Sequence, residues 1–309
     1  MIDIIGKRYW YFALSLLVIV PGLISLALYG LPLAIDYTGG SMLELRLPAG
    51  AAPSSEEVIR IVGQATGFPT ADIRAQPSLQ GTLIIRTREM DAATQARVME
   101  ALRARYGDVV LERFESVGPT VGAEVTRGAL VAVAMASLAI MLYLTFAFRQ
   151  VPHAFRYGVA AVLALLHDVA VVVGTASIFG KVFGWEVDAL FLTAVLTIIG
   201  FSVHDSIVVF DRIRENLLRY RGEPYERIVN HSILQTLDRS INTQLTLIFT
   251  LVALLLFGGT TIRQFIATLL IGMISGTYSS IFNAAPILVV WEKREWRTWF
   301  RRPAEQPVP

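Results

Sequence analysis

The sequence predicts a multi-pass α-helical membrane protein, six transmembrane helices with one α+β domain between helices one and two. Three observations predict it. Six long stretches are almost free of charge, arginines and lysines fall overwhelmingly on one side of them, and the one long interval between stretches has the periodicity of a folded unit. Composition agrees. Of 309 residues, 54% are hydrophobic and 17% charged, where soluble domains carry about 25% charge, and the mean hydropathy is +0.55.

The N-terminal segment, residues 1–8, ends on Lys7 and Arg8. The first span, 9–35, exceeds the 7–15 apolar residues of a cleavable leader, so it is expected to remain as an anchor, kinked at Pro21-Gly22. Further spans are expected at 128–148, 157–180, 188–210, 240–258 and 264–291. Each is long enough for a hydrocarbon core of about 30 Å. In lipid the backbone is satisfied only by helices or closed barrels, and these runs are too long and uniform for barrel strands.

Charge placement sets the expected orientation. With the N-terminus inside, the inner segments collect Lys7, Arg8, Arg149 and Arg156, then Arg212, Arg214, Arg219, Arg221, Arg227 and Arg239 in the loop 211–239, and Lys293, Arg294, Arg297, Arg301 and Arg302 in the tail 292–309. The two short outer loops hold only Lys181 and Arg263. Both termini are therefore expected in the cytoplasm and residues 36–127 outside.

That interval alternates as a strand over Ser41–Leu47 and starts a helix at Pro53, capped by Ser54 or Ser55 and running to about Thr66. Strands are expected at Ala71–Gln76 and Thr82–Thr87 around a Gln80-Gly81 turn, then a helix capped by Asp91 to about Tyr106, then a strand at Val109–Val117. The order β-α-β-β-α-β is that of a split unit, a ferredoxin-like sandwich. It contains no histidine and no metal or nucleophile constellation. It reads either as a structural cap or as a surface that handles a polypeptide outside the membrane.

The absence of cysteine excludes a disulfide framework, a thiolate nucleophile and Cys-ligated metals. There is no Walker loop, GxSxG or HExxH. No metal or cofactor and no ATP hydrolysis are expected, and nucleic acid is not an expected partner. The remaining energy source is an ion gradient, worth about 2.3 kcal/mol per charge per 100 mV.

Ionisable side chains inside spans are costly and usually face a bundle interior. Asp168 lies near the middle of span three beside His167, and Asp205 lies in the inner third of span four beside His204. Arg239 enters span five at a comparable level, so an Asp205–Arg239 pair is expected as the proton-coupling element. The plainer readings are a pair that only orients helices, histidines satisfied in the core, and an arginine snorkelling to the interface. His167, Asp168, His204, Ser206 and Asn242 make a candidate polar pathway. Gly272-x-x-x-Gly276 reads as a packing face, Asn283 as a cross-helix hydrogen bonder, and Asp211–Asn216 as an amphipathic inner-surface helix.

These residues carry a family resemblance. Ile35-Asp-Tyr-Thr-Gly-Gly40, Val117-Gly-Pro-Thr-Val-Gly122, His167-Asp168, the long run Ile199–Asn216, Arg239-Ser-Ile-Asn-Thr243 and Gly276-Thr-Tyr-Ser-Ser280 stand in the order and spacing of SecF chains. The chain thus resembles the SecD/SecF family of the RND superfamily over most of its length, with Asp36, Gly39, Gly40, Gly118, Pro119, Asp211, Arg212, Arg214, Glu215 and Asn216 among the matching positions. The resemblance implies a non-enzymatic subunit of the bacterial cytoplasmic membrane that pairs with SecD. With it, the chain would assist late preprotein export through the SecYEG channel, using the proton-motive force. It puts the proton-linked aspartate on Asp205 and its arginine on Arg239. The family usually has Asn where this chain has His204, and Thr where it has Ser206. Two other readings stand beside this one: half of an RND-type exporter of small molecules or lipids, and a purely structural translocon subunit.

Overall fold

A computed structural model describes residues 2–48, 53–77, 82–259 and 262–297. The Gln80-Gly81 turn and the tail residues Arg301 and Arg302 lie outside them. In chain order the helices and strands are α1 (Arg8–Tyr29), α2 (Ile35–Thr38), β1 (Gly40–Arg46), α3 (Ser55–Thr66), β2 (Arg74–Pro77), β3 (Thr82–Thr87), α4 (Ala92–Tyr106), β4 (Val110–Val117), α5 (Pro119–Ala147), α6 (Phe155–Phe183), α7 (Ala189–Arg219), α8 (Tyr225–Phe257), α9 (Arg263–Ser279) and α10 (Ala285–Lys293). Among the described residues six stretches are long and apolar enough to cross a membrane: Ile5–Tyr29, α5, α6, α7, α8 and Arg263–Lys293. The chain divides into two compact units, Leu33–Leu130 on the one hand and Met1–Pro32 with Val131–Pro309 on the other.

In the first unit the strands form one antiparallel sheet in the order β2-β3-β1-β4. Alternation places Leu43 and Leu45 of β1 opposite Ile85 and Leu83 of β3. These four pack with Val58 and Val62 of α3 and Val98, Met99 and Leu102 of α4 into the core. The helix starts follow from their caps. Ser54 accepts a hydrogen bond from the Glu57 amide at 3.1 Å, and Asp91 accepts one from the Thr94 amide at 2.8 Å. Ser54→Ala should cost α3 about 1 kcal/mol, read as amide exchange about five-fold faster in its first turn.

The Thr94 side-chain and backbone hydrogen bonds hold the Asp91 carboxyl below its ordinary range. A depressed folded pKa means the cap is complete above the usual Asp value of about 3.9. It is lost as pH falls through the lower folded value. The first turn of α4 should therefore lose exchange protection only on acidification below about pH 4. Protection unchanged into that range would mean the ionised side chain contributes nothing.

Two glycines join the two ends of this unit. Gly39 has a φ of +72°, and a Cβ there would lie 2.7 Å from the Pro119 Cα. A Cβ on Gly122 would lie 2.8 Å from the Gly39 nitrogen. The Asp-Tyr-Thr-Gly-Gly and Gly-Pro-Thr-Val-Gly segments thus form one backbone-to-backbone joint, fastened by Thr126 Oγ1 donating to the Tyr37 carbonyl at 3.3 Å. Pro119–Leu130, the first turns of α5, belong to this unit.

In the second unit α6 packs against α1, α7 and α9. It meets α1 where Gly22 faces Gly174, each leaving room for the other's Cα. α1 runs through Pro21 as one helix and ends at Gly30. Gly272 and Gly276 of α9 face Ile198 and Ser202 of α7, so the small-residue face is a packing face.

Several expected boundaries differ: the first span ends at Tyr29 rather than 35, and the second begins at Pro119 rather than 128. α7 continues past 210 to Arg219, and α8 begins at Tyr225 rather than near 240. Nothing in Asp211–Arg219 breaks a helix, and only Gly222 and Pro224 interrupt the run. The expected loop is therefore mostly helix, with Asn216 buried and donating to Ser232 Oγ and Gln235 Oε1, both at 2.9 Å. On the outside of this hairpin Arg212 pairs with Glu215 and Arg214 with Asp211. The sixth span is also divided, by a π-helical segment at Ser280–Ala284. Pro286 explains it, since it has no amide to give to the carbonyl of Phe282 and its ring crowds that group.

Candidate functional site

Asp205 is 3% exposed. Its Oδ2 accepts a hydrogen bond from Gln244 Nε2 of α8 at 2.6 Å. The expected partner is elsewhere: among the described residues no ion pair joins Asp205 to Arg239. Helix geometry gives the reason. Gln244 and Ser240 are four apart, so they share the buried face of α8. Arg239 is five residues from Gln244, about 140° away at 100° per residue, and is exposed. It lines a cavity of about 450 Å³ with Asp211, Arg212, Glu215 and Gln235.

Among the described residues neither Gln244 Oε1 nor Ser240 Oγ, both buried, has a hydrogen-bond partner. Buried polar atoms are rarely left so. An ionised carboxylate only accepts, whereas a protonated one also donates. Gln244 can serve both states. Its amide nitrogen donates to the ionised form, and after a half-turn of the amide its oxygen accepts from the protonated form. Gln244 was not singled out in the sequence. The available signal was its place at i+4 from Ser240 on the face of span five that follows Arg239.

Asp168 is 1% exposed and sits at the centre of a second polar cluster. Its Oδ1 accepts from Ser275 Oγ at 2.7 Å and lies 3.0 Å from His167 Nδ1. Its Oδ2 accepts from Ser202 Oγ at 2.6 Å and Ser279 Oγ at 2.7 Å. His167 Nε2 lies 3.0 Å from Ser15 Oγ of α1, which takes a further hydrogen bond from Asn283 Nδ2 at 2.9 Å. His167 and Asp168 thus bind α1, α6, α7 and α9 together. Ser206 turns its hydroxyl onto the Ser202 carbonyl at 3.2 Å. His204 and Asn242 are not brought into either cluster; both are exposed.

The family model described as "Protein export membrane protein SecD/SecF, C-terminal" matches residues 97–294, the span that holds both acids. The chain is also 51% identical to the protein translocase subunit SecF of Anaerolinea thermophila, covering 99% of each chain. The chain belongs to the SecD/SecF family.

Other SecD/SecF relatives are longer. The protein translocase subunit SecDF of Bacillus subtilis is 35% identical over 95% of this chain, which spans 38% of that protein. The crystal structure of SecDF from Thermus thermophilus, a translocon-associated membrane protein, matches 95% of this chain with a TM-score of 0.82 at 33% identity. This chain spans 39% of that one. With its six apolar spans, this SecD/SecF-family chain is a multi-pass membrane protein of the bacterial membrane.

Proposed function

We propose that the chain is a non-enzymatic subunit of the Sec protein-export machinery that works with a SecD-type partner and uses the proton-motive force through Asp205. The observation that carries the coupling role is the Asp205–Gln244 contact: a carboxylate buried between two spans, with one hydrogen bond and a spare acceptor beside it. Such a group changes its hydrogen bonding when it gains or loses a proton, and the change falls on α7 and α8 together. Arg239, exposed in this arrangement, is then a gate residue that meets the carboxylate only in another state of the cycle.

A partner half is supported by the outward faces of α7 and α8. His204, Arg239 and Asn242 are exposed on spans, and polar groups at membrane depth need protein or a water-filled cleft beside them. Transporters built as two halves bind at the interface between them. A SecD-type half seated there would cover these residues, and the lengths of the SecDF relatives agree with such a companion. The charge asymmetry supports cytoplasmic termini and a Leu33–Leu130 unit outside, where it would meet preprotein emerging from SecYEG.

Export of a secreted substrate into membrane vesicles, with and without a proton gradient, tests the role of Asp205. Exchanging the charges, Asp205→Arg with Arg239→Asp, should leave export at the level of the single variants. Full recovery would mean that a fixed ion pair is all the site needs.

A further inference from the structure

We infer that Asp168, Ser202, Ser275 and Ser279 form a binding site for a small monovalent cation of the sodium class, inside the membrane unit and separate from Asp205. The inference starts from charge. Asp168 is buried at mid-span, and taking a carboxylate out of water is expensive unless it is paired. Among the described residues no lysine or arginine pairs with it. From α6 its neighbour is His167; from α9 the ring of Tyr278 stacks on His167 with centroids 6.1 Å apart, and from α1 the Tyr11 carbonyl accepts a hydrogen bond from the Tyr278 hydroxyl. From α7 only the neutral Ser202 faces the carboxylate. The site has a full set of oxygens, and its one potential countercharge is His167, whose Nδ1 lies 3.0 Å from Oδ1 and carries charge only when protonated.

The donors are right for a hard cation. Two carboxylate oxygens and three hydroxyls converge from α6, α7 and α9, with no thiolate among them, and oxygen sets of this kind suit hard ions. A serine hydroxyl can either give its proton or turn it away and offer lone pairs. The three serines now donate to Asp168. With a cation between them and the carboxylate, the same oxygens become ligands without any change of residue. One carboxylate balances one positive charge. Divalent ions ask for several carboxylates or retained waters, and would leave a buried net charge here.

The surrounding backbone fits a site rather than a plain packing contact. The π-helical segment Ser280–Ala284 begins at the residue after Ser279, and π-bulges recur at functional positions. Irregular helix at membrane depth is where transporters coordinate small cations. Gly276 lets α9 approach α7 closely beside the carboxylate: a Cβ there would lie 3.3 Å from the Ser202 Cβ and 3.7 Å from Asp168 Oδ2. Occupancy would be felt by α7 at Ser202, three residues before Asp205 on the same helix.

The test needs neither a partner nor export, so its failure is distinct from failure of the coupling role of Asp205. Purified full-length protein in detergent is melted in sodium chloride and in choline chloride at equal ionic strength. Binding of radioactive sodium is measured by equilibrium dialysis. The wild type should melt several degrees higher in sodium, as expected for a ligand that binds only the folded state, and should retain sodium displaceable by excess unlabelled salt. Both effects should vanish in Asp168→Asn and in Ser275→Ala/Ser279→Ala, and persist in Asp205→Asn. If Asp168→Asn does not fold, the double serine variant, which keeps the carboxylate, decides. Absence of sodium binding in the wild type, or binding unchanged in the serine variant, would overturn the inference.

Discussion

Asp205→Asn should leave the protein folded in the membrane and remove the gradient-dependent part of export completely. Asparagine keeps the shape and can still meet the Gln244 amide, so packing around α7 and α8 is preserved. What it lacks is a site for an exchangeable proton. One charge crossing 100 mV is worth about 2.3 kcal/mol, roughly 50-fold in an equilibrium constant. The wild-type difference between energised and de-energised vesicles should therefore collapse, while basal export driven from the cytoplasm remains. Gln244→Glu provides a sharper companion. It places a second acid against Asp205 at the present 2.6 Å contact, where two neighbouring carboxylates cannot both ionise freely. Its gradient response should shift along the pH axis rather than disappear. An Asp205→Asn variant that still responds fully to the gradient would reduce the residue to a helix-orienting group.

The acids themselves were legible because charge within an apolar run is visible in the sequence without any geometry. Their partners were not. The expectation of an Asp205–Arg239 pair followed from equal depth, but depth fixes only one of the two coordinates on a helix. The other is azimuth, and on α8 it turns Gln244 and Ser240 inward and Arg239 outward. The serines around Asp168 were visible as small residues of the sixth span, yet their convergence depends on where α7 and α9 cross. The order of elements in the Leu33–Leu130 unit was readable because strand alternation and helix caps are local signals. The π-segment was not, because its cause, Pro286, acts on a carbonyl four residues earlier within an unbroken apolar run.

Gly174→Leu should be the most damaging single change in the membrane unit. The sequence marks Gly22 only as part of a bend at Pro21-Gly22, but its role is at an interface. α1 crosses α6 with Gly22 against Gly174, and a Cβ on either glycine would lie 2.8 Å from the other's Cα. The obstacle is backbone, so no rotamer change relieves it; the helices must separate. Separation breaks the contacts that fasten α1 on either side of the crossing. These are Ser25 Oγ to Ser177 Oγ at 2.9 Å, Ser177 Oγ donating to the Gly30 carbonyl at 2.8 Å, and the Ser15–His167 contact at 3.0 Å. Overpacking alone costs about 1–3 kcal/mol, and each buried group left unpaired adds about 1–3 kcal/mol. Lipid gives no hydrophobic force to hold two apolar helices together, so close backbone packing and these hydroxyls carry the association. The variant should melt well below the wild type in detergent and expose α1 to protease cleavage near Gly30. Gly174→Ala should lie between the two. A Gly174→Leu protein that melts with the wild type would show that α1 is held from its N-terminal end alone, where Arg8 pairs with Glu295 and Asn230 accepts the amides of Ile4 and Ile5.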